Sequence, residues 1–229
     1  MIFNSRKEKM FILLGGFFIT NAILAEMIGG KLLSVGPFLI SMGILPWPIV
    51  FLSTDLINEY FGRTGVKRLT WLTTGLIAYL FLMLYIGQHL KASPVSPISD
   101  TAFNSVFGQT SWLIFASIIA FVVSQMVDVS IFWLLREKTG KKMIWLRSTG
   151  STIISQLIDS FVIGGIGFYL PGKLTFDQYV NASGTAYAFK VIVAVGLTPM
   201  IYAGHALIDR YLGDEAEQAI ASAARSSTN

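Results

Sequence analysis

The sequence predicts an all-α membrane protein: six transmembrane helices in one domain spanning 1–229, with both termini in the cytoplasm. Three observations carry this. Of the 229 residues, 53% are hydrophobic and only 13% charged, against about 25% charged in an ordinary soluble domain, and the mean hydropathy is +0.63. Six apolar stretches each reach the roughly 20 residues that a helix needs to cross a hydrocarbon core of about 30 Å. The basic residues alternate sides from one connection to the next.

The first stretch, 10–29, follows a basic start, Arg6, Lys7 and Lys9. Its apolar run is longer than a signal peptide's and no clear cleavage site follows it, so it reads as a span. The second, 37–57, contains Pro46 and Pro48, which remove backbone donors and predict a broken helix there. The third, 68–89, does not alternate as a barrel strand would. The fourth and fifth are 111–135 and 149–170, and the sixth is 185–208. Residues 90–110, rich in Ser and Pro, form the longest loop, with a short surface helix near Thr101–Phe107. Residues 214–229 read as a polar cytoplasmic tail that extends the last helix briefly and then frays.

Orientation follows from Lys and Arg. The N-terminus, the second–third connection (Arg63, Lys67, Arg68), the fourth–fifth connection (Arg136, Lys138, Lys141, Lys142, Arg147) and the C-terminal side (Arg210, Arg225) hold most of them; the alternate loops hold only Lys31, Lys91 and Lys173. By the positive-inside rule the first set faces the cytoplasm. The net charge of +4 is thereby explained by topology, without a nucleic-acid partner.

The chain lacks G-x-x-x-x-G-K-[ST], H-E-x-x-H and G-x-S-x-G. With no Cys and two distant His, a metal site would need carboxylates alone. No cofactor is implied, and an enzyme is disfavoured. His89 and His205 read as interfacial.

The informative residues are polar ones within apolar stretches, because a centred acid costs about 2.5–3.5 kcal/mol to insert. They are Asn21 and Glu26 in the first stretch, Asp55, Asn58 and Glu59 late in the second, Gln125 and Asp128 in the fourth, and Gln156 and Asp159 in the fifth. Lys190, the intramembrane cation, is a candidate site residue alongside them, with the plainer alternative that it pairs with an acid to lower the cost of burial. The fourth and fifth stretches share S-Q-x-x-D, Ser124 to Asp128 and Ser155 to Asp159. Three- and four-residue spacing puts these side chains on one helix face. The two acids are expected at similar depth, facing one cavity with their amides. Ser124 and Ser155, taken alone, are better explained as interhelical glue than as site residues. Phe132, one turn beyond Asp128, is a candidate to stack on a ligand. The proline break suggests the second helix as a gate.

The stretch Ser53 to Gly62, read S-T-D-L-I-N-E-Y-F-G and followed by Lys67-Arg68, resembles a hallmark of the queuosine-precursor transporter family, also called the VUT family. The runs Ser124 to Phe132 and Arg147 to Ser160 resemble its other two, in the same order. This resemblance implies a bacterial inner-membrane importer of 7-deazaguanines such as preQ0, preQ1 or queuine, for queuosine synthesis in tRNA. It also implies a fold similar to the substrate-binding subunits of energy-coupling-factor transporters. The chemistry suits such a ligand: a carboxylate accepts two bonds from its N–H edge, an amide pairs with its O6, and Asp55 or Glu59 would meet an aminomethyl cation. The alternative is a substrate-binding subunit of an ATPase-driven uptake system. Intramembrane acids admit proton coupling. The glycine pairs at 15–16 and 29–30 suit either a homodimer or packing within the chain.

Overall fold

The computed structural model describes residues 5–35, 38–108, 111–140 and 142–227. Lys141, and residues 36–37 at the start of the predicted second span, lie outside them.

Helix α1, Arg6–Ile28, opens on a capping box in which Ser5 and Glu8 satisfy each other's backbone N–H groups. An antiparallel hairpin follows, β1 (Leu32–Val35) with β2 (Phe38–Ser41), pairing Leu32 with Ser41. It replaces the first half of the predicted 37–57 span, and a 3-10 turn, Met42–Ile44, leads on to α2. Helix α2, Trp47–His89, begins with Pro46 at its N-cap and Pro48 in its first turn. First-turn N–H groups have no partner in any helix, so proline costs nothing there. The prolines therefore start the helix rather than break it, and the gate inferred from a break at that point falls away.

The break is at Gly62, whose φ of 78° and ψ of 178° interrupt the 43 residues of α2. Unbroken, that helix would run about 65 Å at 1.5 Å per residue, twice a bilayer's core. Its two arms run in opposite directions along α1. Gly43, just before the first arm, packs on Gly29 and the Ala25 carbonyl at one end of α1. At the other end Phe61 meets Phe11 with ring centroids 5.0 Å apart. The second arm then runs back, bringing Leu69 against Gly15. The third predicted stretch, 68–89, is this second arm.

Helix α3, Asp100–Phe107, is the short surface helix expected in the long loop. Helices α4 (Ser111–Thr139) and α5 (Ile144–Gly164) pack as antiparallel neighbours, and a π turn, Gly165–Tyr169, ends α5. The predicted sixth stretch is two helices, α6 (Phe176–Gly196) and α7 (Thr198–Leu212), bent by 43° about Leu197. The residues expected to fray form α8, Glu215–Ser227, whose Ala216, Ala219 and Ala223 are buried; it packs chiefly on α2. Spacing of three and four residues puts these alanines on one face, so the tail is a docked helix. By length and composition, four helices among the described residues can cross a membrane, or five with α6 and α7 counted as one.

A buried apolar cluster that includes Phe18, Ile57, Phe121 and Phe132 holds the helices together, and the outer surface is apolar as well. Large apolar side chains lie outward, including Leu13, Phe17, Leu72, Leu82, Ile192 and Leu207, where lipid would cover them. The buried residues of α5 are all polar: Arg147, Ser148, Thr149, Ser151, Thr152, Ser155, Gln156, Asp159 and Ser160. Apart from Thr149 they recur as adjacent pairs every four residues, one continuous stripe along the helix. Ile154 and Leu157 face outward.

Candidate functional site

The polar stripe of α5 meets the first arm of α2 and the inner face of α4, and together they stack polar groups in levels. The level at the Gly62 end is an ion cluster. Glu59 takes Arg147 through Nε at 3.0 Å and Nη2 at 2.9 Å, and Arg136 through Nη2 at 3.3 Å. Arg147 is 1% exposed and Arg136 7%. Burial of that depth is normal for arginine only when it is paired. The remaining guanidinium donors of Arg147 go to the Gly140 and Lys142 carbonyls at 3.0 and 3.1 Å, which ties the α4–α5 turn to α2. Arg136 reaches the Ile220 carbonyl of α8 at 3.4 Å. Both arginines were expected in a cytoplasmic loop; the structure buries them, because α4 and α5 each continue inward past the predicted ends.

Beside this cluster Tyr60 donates to Asp209 at 2.7 Å and lies 3.1 Å from His205 Nδ1. His205 of α7, expected at an interface, is buried against Tyr60 of α2. His89 is exposed, bonded to its own helix at the Tyr85 carbonyl.

The next level is held by Asp55, whose Oδ2 accepts from Ser148, and by Asp128, which accepts from Ser155 at 3.1 Å. Asp55 and Asp128 are close enough to repel one another. Gln125, one turn along α4 from Asp128, is buried with its Oε1 unpartnered among the described residues. Asn58 accepts from Trp133 Nε1 at 3.3 Å while its Nδ2 has no partner there. Phe132 is buried against Trp133, and the Arg147 guanidinium lies 5.9 Å from its ring centre; protein therefore already lies over it.

The level farthest from Gly62 holds Asp159, paired with Lys190 of α6 at 2.5 Å. Glu26, half-buried on α1, is hydrogen-bonded to Ser117 of α4 and faces Asp159. Gln156 is buried beside them on the stripe. Asn21 returns its amide to the Phe17 carbonyl of its own helix at 2.8 Å.

The polar candidates of α2, α4 and α5, with Glu26 and Lys190, fall on one column, though not in the expected pairing; Asn21 bonds within α1 and Phe132 packs in the apolar core. Antiparallel packing of two S-Q-x-x-D faces sets the serine of one motif opposite the acid of the other. Ser155 therefore meets Asp128, and Asp159 lies a turn away. The acids group as Asp55 with Asp128 and Asp159 with Glu26, at different depths. Sequence reading passed over Ser148, Ser151, Thr152 and Arg147. The paired polar residues at four-residue intervals from 147 to 160 would have found them.

A small cavity of about 10 Å³ opens at the middle level, lined by Asp55, Ser148, Thr149, Thr152 and Leu197 among others. It lies where α2 and α5 meet the bend between α6 and α7.

Comparison with known proteins was made on this geometry. Residues 41–204 match the family described as "Putative vitamin uptake transporter". A Bacillus subtilis (strain 168) protein named "Probable queuosine precursor transporter" is 29% identical over 170 residues, covering 73% of this chain and 72% of the relative. A Haemophilus influenzae protein of the same name is 24% identical over 163 residues, covering 67% of this chain and 63% of that relative. No solved structure matches. The match runs through both arms of α2, the α4–α5 pair and the α6–α7 bend, which are the elements that build the polar column; the chain belongs to the vitamin uptake transporter family and is a membrane transporter, not an enzyme.

Proposed function

We propose that the chain imports queuosine precursors, 7-deazaguanine bases, across a bacterial inner membrane, as a single six-span domain with both termini in the cytoplasm. The two arms of α2 count as two spans, and α6 with α7 as one broken span. The observation that carries the substrate reading is the pair of buried, orphaned amide atoms, Gln125 Oε1, one turn from Asp128 on α4, and Asn58 Nδ2 on α2, whose Oδ1 meets Trp133 of α4. Leaving such groups unpaired costs about 1–3 kcal/mol each, and a guanine-like edge offers partners of both kinds. The name that both relatives carry supports the same class of ligand.

In this reading Asp128 accepts the ring N–H and exocyclic amine, and Gln125 meets the O6 or pyrrole N–H. Gln156 and Asp159, with Lys190 and Glu26, line the path beyond, and Glu59 holds the opposite end closed through its two arginines. Opening that end means parting Glu59 from Arg147. Asp128→Ala combined with Asp159→Ala, expressed in cells unable to make their own precursor, is expected to abolish queuosine in tRNA. Full queuosine from that double variant overturns the site. Uptake by the purified chain alone in liposomes is expected; binding without uptake would assign the chain instead as the ligand-binding subunit of an ATPase-driven system.

A further inference from the structure

We infer that the small cavity at Asp55 is a binding site for a dehydrated monovalent metal cation, Na⁺ being the probe, distinct from the groups proposed to hold the base. Four observations converge there. The first is an orphaned charge-bearing oxygen: Asp55 is 3% exposed, its Oδ2 is used by Ser148, and its Oδ1 has no partner among the described residues. It lines the cavity.

The second is size. About 10 Å³ is the room of one water-sized particle, far too little for a bicyclic base or its aminomethyl arm. The third is the donor set. Asp55, Ser148, Thr149 and Thr152 form one side of the lining, facing the apolar Phe51, Leu52, Ala194, Leu197 and Ile201; one carboxylate and three hydroxyls are the hard oxygen ligands that small s-block cations take.

The fourth is the broken helix. Ala194, Leu197 and Ile201 line the same cavity, so the bend between α6 and α7 faces it. The C-terminal end of α6 and the N-terminal end of α7 meet there with opposite dipole poles, and Pro199 in the first turn of α7 supplies no N–H to offset the carbonyls that end α6. In transporters, the C-terminal ends of interrupted helices are where coupling cations sit.

Charge balance agrees. The charged groups around Asp55 are Asp128, Glu59 and Arg147, and Glu59 also engages Arg136. With all three carboxylates ionised, Asp55, Asp128 and Glu59 against Arg147 and Arg136 carry one net negative charge, which a single monovalent cation neutralises. Bound there, it would bridge α2 and α5 to the α6–α7 bend and couple ion occupancy to the packing of the three.

The test uses the full-length purified chain in detergent with no base present, so its outcome is independent of the import reading. NaCl is titrated from about 1 to about 100 mM against choline chloride at fixed ionic strength, and the unfolding midpoint is followed. A saturable, Na⁺-specific rise in midpoint is expected, with bound ²²Na⁺ approaching one per chain. Asp55→Asn is expected to weaken apparent Na⁺ affinity by more than about tenfold, since it removes the charge. Thr152→Val, which keeps shape and deletes one oxygen, is expected to weaken it less and serves if Asp55→Asn does not fold. Asp177→Asn, exposed in the first turn of α6, is expected to leave it unchanged. A midpoint that rises equally with choline, responds to pH but not to Na⁺, or responds to Na⁺ equally in wild type, Asp55→Asn and Thr152→Val overturns the site.

Discussion

Glu59→Gln is the sharpest probe of the ion cluster. The substitution keeps the side chain's shape but removes the one charge that two guanidiniums share. Arg147 loses the carboxylate that receives its Nε at 3.0 Å and Nη2 at 2.9 Å, and keeps only the Gly140 and Lys142 carbonyls. Arg136 loses its 3.3 Å partner. The side chains of Arg147, Glu59 and Arg136 are 1%, 5% and 8% exposed, so water cannot replace the carboxylate without the helices parting. Breaking a buried pair by removing one partner costs about 3–5 kcal/mol. At about 2–4 °C per kcal/mol for a chain of this length, the midpoint should fall by roughly 10 °C. The assay is thermal unfolding of the purified protein in one detergent, run as a cycle with Arg147→Gln and the double variant. In the double variant Arg147 no longer needs its counter-charge, so the two losses should combine to less than their sum by about 1 kcal/mol or more. Strict additivity, or a Glu59→Gln midpoint within a degree of wild type, would refute the burial argument and return Arg147 to the solvated loop that charge counting assigns it.

Gly62→Ala should destabilise by about 1–3 kcal/mol, because φ 78° with ψ 178° is a conformation essentially reserved for glycine. Gly16→Ala, where an added Cβ meets nothing within 4 Å, should instead be neutral or stabilising by up to about 1 kcal/mol; unfolding midpoints check both. Lys190→Met and Asp159→Asn should each cost more alone than the pair together, because either single change strands a buried partner; a midpoint for the double variant below both singles would contradict the 2.5 Å pair. The chain has no cysteine, so single cysteines at Lys91, Lys138 and Ser222 can be labelled in intact cells with a membrane-impermeant maleimide. Only Lys91→Cys should react from outside, and outside labelling of Ser222→Cys would defeat the cytoplasmic C-terminus.

Much of this architecture was legible in the residues. The membrane itself follows from apolar length, since lipid offers no partner for a bare backbone and a lipid-exposed apolar run must be a helix; the hairpin at 32–41 is the exception. The acids and amides of the column were visible for the same reason: against an apolar background each is too costly to be incidental. Gly62 was quoted within a motif but its role was not, since a single glycine reads the same in a helix as in a hairpin bend between helices. The prolines at 46 and 48 misled because their effect reverses with position, harmful inside a helix and harmless in its first turn.

Other features are decided only by tertiary structure. Arg136 and Arg147 carry the same charge as Lys138 and Lys142 and lie among them in the chain; whether such a group is a solvated topology signal or a buried counter-ion depends on whether a carboxylate from another helix reaches it. Asp128 and Asp159 have the same local motif, yet antiparallel packing sends one to Ser155 and the other to Lys190. The sequence by itself determined that this protein lives in a bilayer and which polar groups it must hide there. Only the packing of α2, α4, α5 and α6 decided which of those groups meet, because depth and partner are properties of two helices at once and no single run of residues encodes them.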